Sequence, residues 1–211
     1  MLKFINYIPL ALTYFLPFAL LTGPAIPDIL IVIISISFIL RSFYARDFIW
    51  TKLPIVRIFF LLWLSLIFIS FFSYNRVLSF SESIIFVRFF IFAIAVSYWI
   101  ITDVKKAKVL LSIVFISLCV LIADGIFQLL TYSTEYGFGS SIFGFKAFVY
   151  GRMTGPFNDE IIGSYIAKFF FMSLLFIYLI KNEKLKQFIF FIFFNLGFLV
   201  VFFSGERMAL A

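Results

Sequence analysis

An all-α fold, a polytopic bundle of transmembrane helices, is what this sequence predicts, and three observations predict it. Apolar residues make up 64% of the chain and charged residues only 13%, against about 45 to 50% and about 25% in soluble domains. Mean hydropathy is +1.18, and several apolar runs reach the length that crosses a bilayer. Runs such as IFFLLWLSLIFISFF are apolar on every side, which excludes a membrane β-barrel, whose strands alternate polar and apolar residues.

The apolar runs define seven spans, at 8–22, 27–40, 57–73, 84–101, 109–130, 161–180 and 188–203, within a single transmembrane domain covering 1–211. The first two are short and joined by TGPAIP, a Gly-Pro turn that predicts a tight helical hairpin. Lys3 precedes the first run in the manner of a signal peptide, yet the turn offers no small-residue cleavage site and further spans follow, so the run is retained. The third span, 57–73, carries no charge beyond Arg57 at its start. The fourth carries Arg88, and the fifth carries Cys119, Asp124 and Gln128. The sixth carries Lys168, and the seventh ends in SGER. At GERMALA an eighth span begins, so the chain reads as an N-terminal fragment, incomplete at its C-terminus.

Orientation follows from the basic residues. A cytoplasmic N-terminus sends Lys3, the Arg41 to Arg57 group, Lys105, Lys106, Lys108, Lys181, Lys184 and Lys186 to one side. Only Arg76, Arg88, Lys146, Arg152, Lys168 and Arg207 remain for the outer half, which is the positive-inside pattern. The formal charge of +7 is therefore a matter of topology and anionic headgroups, and no nucleic acid is implied. The single cysteine, Cys119, has no partner for a disulfide or a cysteine metal site and reads as a small apolar side chain.

The outer face is where chemistry collects. The segment 131–160, rich in Gly, Ser and aromatics, is the longest extramembrane piece, the kind of loop on which function tends to sit. Arg88, Asp124 and Lys168 fall about 6 to 11 Å below the outer boundary at the helical rise per residue. Charges inside a span usually face a bundle interior or wet cavity and mark a functional path. The bland alternatives are that Asp124 neutralises Arg88 or Lys168, and that the long basic side chains snorkel to the interface. Asp124 and Gln128, at i and i+4, share one helix face and point to one neighbour. Arg152 and Arg207 stand at the outer boundary and complete a basic cluster that suits an anionic ligand, most naturally a lipid-borne diphosphate, because a guanidinium grips phosphate oxygens in pairs. Gly151, Gly155 and Gly205 allow backbone N–H groups to approach it. Glu160 is either the counter-charge that orients Arg152 or, with Asp159, an acid in a first helical turn capped by Asn158.

In order along the chain, ADGIFQLL, a Gly-rich outer loop, RMTGPFNDEIIGSYIAKF and FFSGERMALA resemble the membrane core of the O-antigen ligase and polymerase family of bacterial envelope glycosyltransferases. The resemblance runs from about Phe80 to the end. It implies transfer of a glycan, without metal or other cofactor, from undecaprenyl diphosphate to a lipid A core or a growing polysaccharide. That reaction, part of lipopolysaccharide and cell-envelope biosynthesis, takes place at the periplasmic face of the bacterial inner membrane. Arg152 and Arg207 would carry the catalysis by binding the donor diphosphate and stabilising charge on it as the sugar leaves. Arg88, Lys168, Asp124, Gln128 and Glu160 would line the substrate site. Family members use a His on a later outer loop as general base. This chain contains no His, so the fragment is expected to be inactive alone, unless Glu160 or Glu206 supplies the base. Two rival readings are a transporter or flippase for a lipid-linked or anionic substrate, and a structural membrane subunit. The first favours midplane sites and inverted repeats, which the sequence lacks, and the second leaves the outer arginines unexplained.

Overall fold

The computed structural model describes residues 2–23, 25–132, 137–146, 151–157 and 160–206, with residues 2–6 described by their backbone alone. The described residues are helical throughout their long elements and contain no β-strand. The helices are α1 (Leu2–Ala19), α2 (Ala25–Ala45), α3 (Pro54–Ser70), α4 (Arg76–Ile85), α5 (Val87–Ile94), α6 (Val104–Leu130), α7 (Ile162–Tyr178) and α8 (Glu183–Phe203). Four helical stretches are long and apolar enough to cross a membrane: Ala25–Ala45, Arg76–Ile100, Val104–Leu130 and Glu183–Phe203. Three shorter apolar helices, Tyr7–Thr22, Pro54–Ser70 and Ile162–Tyr178, occupy the other runs.

The chain divides into two compact units, Met1–Leu16 with Ala25–Lys106, and Pro17–Pro24 with Ala107–Ala211. The core of the first unit gathers Ile34, Phe38, Ile94, Ala95, Trp99 and Ile100. Phe38 packs its ring 5.2 Å from Trp50 and 6.0 Å from Trp99. The fourth apolar run is less uniform than its sequence suggests. It begins as α4, capped by Asn75 through the Leu78 N–H, and changes register at Phe86. It ends in one π-helical turn, Ala95–Ile100, closed by Ile101 N–H to Val96 O at 2.8 Å. Such turns widen a helix to fit bulky neighbours, and here the turn seats Trp99 in the core. A hydroxyl stitch joins α3 to α4: Ser70 Oγ and Ser83 Oγ are 2.6 Å apart, and Trp63 Nε1 donates to Ser83 O at 2.9 Å. Each bond uses polar groups that lipid cannot satisfy.

In the second unit α6, α7 and α8 pack around Leu118, Leu121, Ile122, Ile166, Phe193 and Val200. Helix α8 starts cleanly because Asn182 Oδ1 accepts the N–H groups of Lys184 and Leu185. Two glycines set the spacing of α6 and α8. A Cβ on Gly125 would lie 2.5 Å from Val200 Cγ1, and one on Gly197 would lie 3.5 Å from Ile122 Cδ1. Lipid tails are as apolar as Leu, so close van der Waals fit across small residues replaces hydrophobic drive as the force between such helices.

Candidate functional site

Asp124 and Gln128 lie one turn apart on α6, both with no exposed surface. The expectation that they face one neighbour is met by the loop that follows α6. Asp124 Oδ1 accepts the N–H of Ile142 at 2.6 Å, and Gln128 Oε1 accepts the N–H of Gly155 at 3.0 Å. A third tie comes from the backbone, where Gly139 N–H donates to Gln128 O at 3.1 Å. A backbone N–H at this depth without an acceptor is costly, and a carboxylate accepts more strongly than a neutral group. The intramembrane acid therefore anchors the loop.

Local turns shape the loop between these ties. Ser141, itself buried, folds 141–145 into a turn: its Oγ accepts the N–H groups of Phe143 and Phe145, and its own N–H donates to Phe145 O at 2.8 Å. Further on, Phe157 N–H donates to Thr154 O at 3.1 Å, closing a β-turn with Gly155 at φ +60° followed by Pro156. Only glycine fits there, since a Cβ would also lie 2.6 Å from Ile162 Cδ1 and 3.3 Å from Asp124 Oδ2. Phe157 then stacks on Tyr165 of α7, ring centroids 3.9 Å apart. Among the described residues, three buried polar atoms around this turn, Asp124 Oδ2, Gln128 Nε2 and Thr154 Oγ1, have no hydrogen-bond partner.

Arg152 projects from this anchored segment. It is exposed, follows Gly151 at φ +72°, and its Cγ lies 3.7 Å from where a Cβ of Gly205 would sit. Gly163, at the start of α7, is in turn hemmed by Ser204 and by Glu206 Cβ. The structure thus brings together Arg152, the first turn of α7 and the Ser204 to Glu206 turn that ends α8. Arg207, the next residue, lies outside the described residues, as do Asn158 and Asp159.

The other sequence-selected residues have local partners. Glu160 precedes α7 instead of lying in its first turn, which holds no acid. Ile162 N–H is met by Met153 O at 3.0 Å, so the loop backbone does the work expected of a side-chain cap. Glu160 lies near the Tyr165 hydroxyl, and among the described residues no ion pair joins it to Arg152. Lys168 is exposed, with Nζ 5.3 Å from the Tyr165 ring centroid. That ring lies one turn nearer the helix start, as expected when a long side chain reaches back toward the N-terminal end. Arg88 belongs to the first unit. Its Nη2 donates to Asp28 Oδ2 at 2.6 Å, its guanidinium lies 4.9 Å from the Phe89 ring centroid, and its carbonyl accepts from Ser35 Oγ. Sequence reasoning missed Asp28, Tyr165, Ser141 and Thr154. Asp28 carried a usable signal, an acid in the first turn of a span. The others are ordinary until the loop folds back.

Among the described residues no group of three or more His, Cys, Asp or Glu converges to hold a metal. What the arrangement offers is an exposed arginine on a fixed loop, its stem beside Gly205, with a buried acid and amide on α6 already committed to holding that loop. Compared with protein-family models, curated proteins and solved structures, the chain has no significant match.

Proposed function

We propose that this chain is the donor-binding part of a bacterial envelope glycosyltransferase of the O-antigen ligase and polymerase kind. In this reading it moves a glycan from undecaprenyl diphosphate to a lipid or saccharide acceptor at the periplasmic face of the inner membrane. All seven apolar helical stretches cross the bilayer and the N-terminus is cytoplasmic. The observation that carries the reading is the placement of Arg152: exposed, beside Gly205, on a segment fixed to α6 through Gln128 and Gly155. A diphosphate leaving group gains negative charge as the glycosidic bond breaks, and donors fixed in advance stabilise that charge without reorganising. Arg152 and Arg207 are assigned that role. Glu160 and Lys168, both near Tyr165, form the rim of the site.

The test is glycan transfer by the full-length protein in cells that report new glycosidic bonds. Arg152→Ala and Arg207→Ala should each lower transfer by about 10²- to 10³-fold. Arg152→Lys should recover only part of it, because an ammonium lacks the planar fork. Transfer unchanged in both alanine variants would remove the donor-site assignment. Movement of a lipid-linked saccharide across vesicles with no new glycosidic bond would identify a flippase instead.

A further inference from the structure

The opposite end of the α7 and α8 pair from Arg152 carries a second feature that the proposed chemistry does not use. A groove of about 590 Å³, within the range of small-molecule sites, about 300 to 1,000 Å³, runs along the last two turns of α7 and the first turns of α8. Its walls include Phe171, Leu175 and Phe190, and its only polar side chains, Tyr178, Lys186 and Gln187, sit together at the end facing the α7–α8 turn. Phe171 and Tyr178 are 76% and 73% exposed, so the groove opens sideways.

Charge accumulates at that polar end alone. Lys181, Lys184 and Lys186 stand there against the single acid Glu183. Lys186 is fixed at the mouth, its Nζ 2.8 Å from Glu183 Oε1 and 5.4 Å from the Tyr178 ring centroid. The remaining two lysines are exposed. An occupant must therefore be a long apolar body with an anion at one end. An extended peptide would find no hydrogen-bond partner along the apolar walls, whereas basic pockets between transmembrane helices on the cytoplasmic side are suited to phosphate headgroups.

We infer that this groove is a binding site for one anionic phospholipid, its acyl chain against Phe171, Leu175 and Phe190 and its phosphate at Lys186 and Gln187. The site is separate from the Arg152 region and stands whether or not the glycosyltransferase reading holds. The experiment is native mass spectrometry of the full chain, released from nanodiscs made with equal amounts of phosphatidylglycerol and phosphatidylcholine. The wild type should retain one phosphatidylglycerol, preferred over phosphatidylcholine on the order of tenfold. Lys186→Glu should abolish the preference. Leu175→Trp, which fills the groove from an exposed position, should reduce retention of both lipids. Equal retention of the two lipids by the wild type, a preference unchanged in Lys186→Glu, or retention unchanged in Leu175→Trp would overturn the inference. A twofold mass lost on Leu175→Trp would assign the groove to a second copy of the chain, and would equally overturn it.

Discussion

Asp124 shows how a charge inside an apolar run can be justified by backbone chemistry. Its Oδ1 holds the Ile142 N–H, so Asp124→Ala leaves that donor without a partner and should cost about 1 to 3 kcal/mol. Asp124→Asn keeps an acceptor at the same place and should recover most of the loss. Thermal unfolding of the purified protein in detergent separates the two, since a purely electrostatic role would leave Asn as damaging as Ala. Arg88 makes the same point in the first unit. Asp28→Ala and Arg88→Ala should each lower the midpoint, and the exchange Asp28→Arg with Arg88→Asp should restore part of it. The partly exposed pair should give a coupling on the order of 1 kcal/mol in a double-mutant cycle. Much at this scale was legible: intramembrane Arg88, Asp124 and Gln128 do engage specific partners. Those partners were not legible for Asp124 and Gln128, because they are backbone N–H groups 18 and 27 residues away, and an N–H carries no mark in the sequence.

At the scale of elements, hydropathy located every apolar helix and misplaced several ends. The span expected at 57–73 begins at Pro54, where proline favours a first helical turn. The span expected at 84–101 gains α4 in front and a π-helical turn behind. Hydropathy measures preference for lipid, and it is insensitive to caps and to register changes that depend on packing. Close approach is equally invisible to it. Gly125 looks like one more small residue in an apolar run until Val200 is placed against it. Gly125→Ala should therefore cost about 1 to 3 kcal/mol by overpacking, and Val200→Ala should relieve it in the double variant. Both are read as unfolding midpoints, and additive effects would show that α6 and α8 do not meet at this pair.

For the whole molecule, the decisive matter is which face of the membrane holds the loop. Phe143 is exposed at the tip of the Ser141 turn. Phe143→Cys in a Cys119→Ser background should react with a membrane-impermeant maleimide from outside intact spheroplasts and be protected when only the cytoplasmic side is accessible. Labelling from the cytoplasmic side alone would invert the topology and remove the periplasmic assignment. Depth along a helix axis, which the sequence supplied for Arg88, Asp124 and Lys168, left azimuth open. Arg88 turned to α2, Asp124 to the loop that follows α6, and Lys168 to the aromatic face of its own helix. A common depth therefore did not specify these partners, whereas the turn in the RMTGPF segment was legible, because its geometry needs glycine at Gly155.

The ties at Ile142 and Gly155 make the stretch between them a cassette. Its two ends are clamped to one helix face, and Arg152 sits three residues from the second clamp. Both clamps are backbone N–H groups, so a change of side chain at Ile142 or Arg152 leaves them in place.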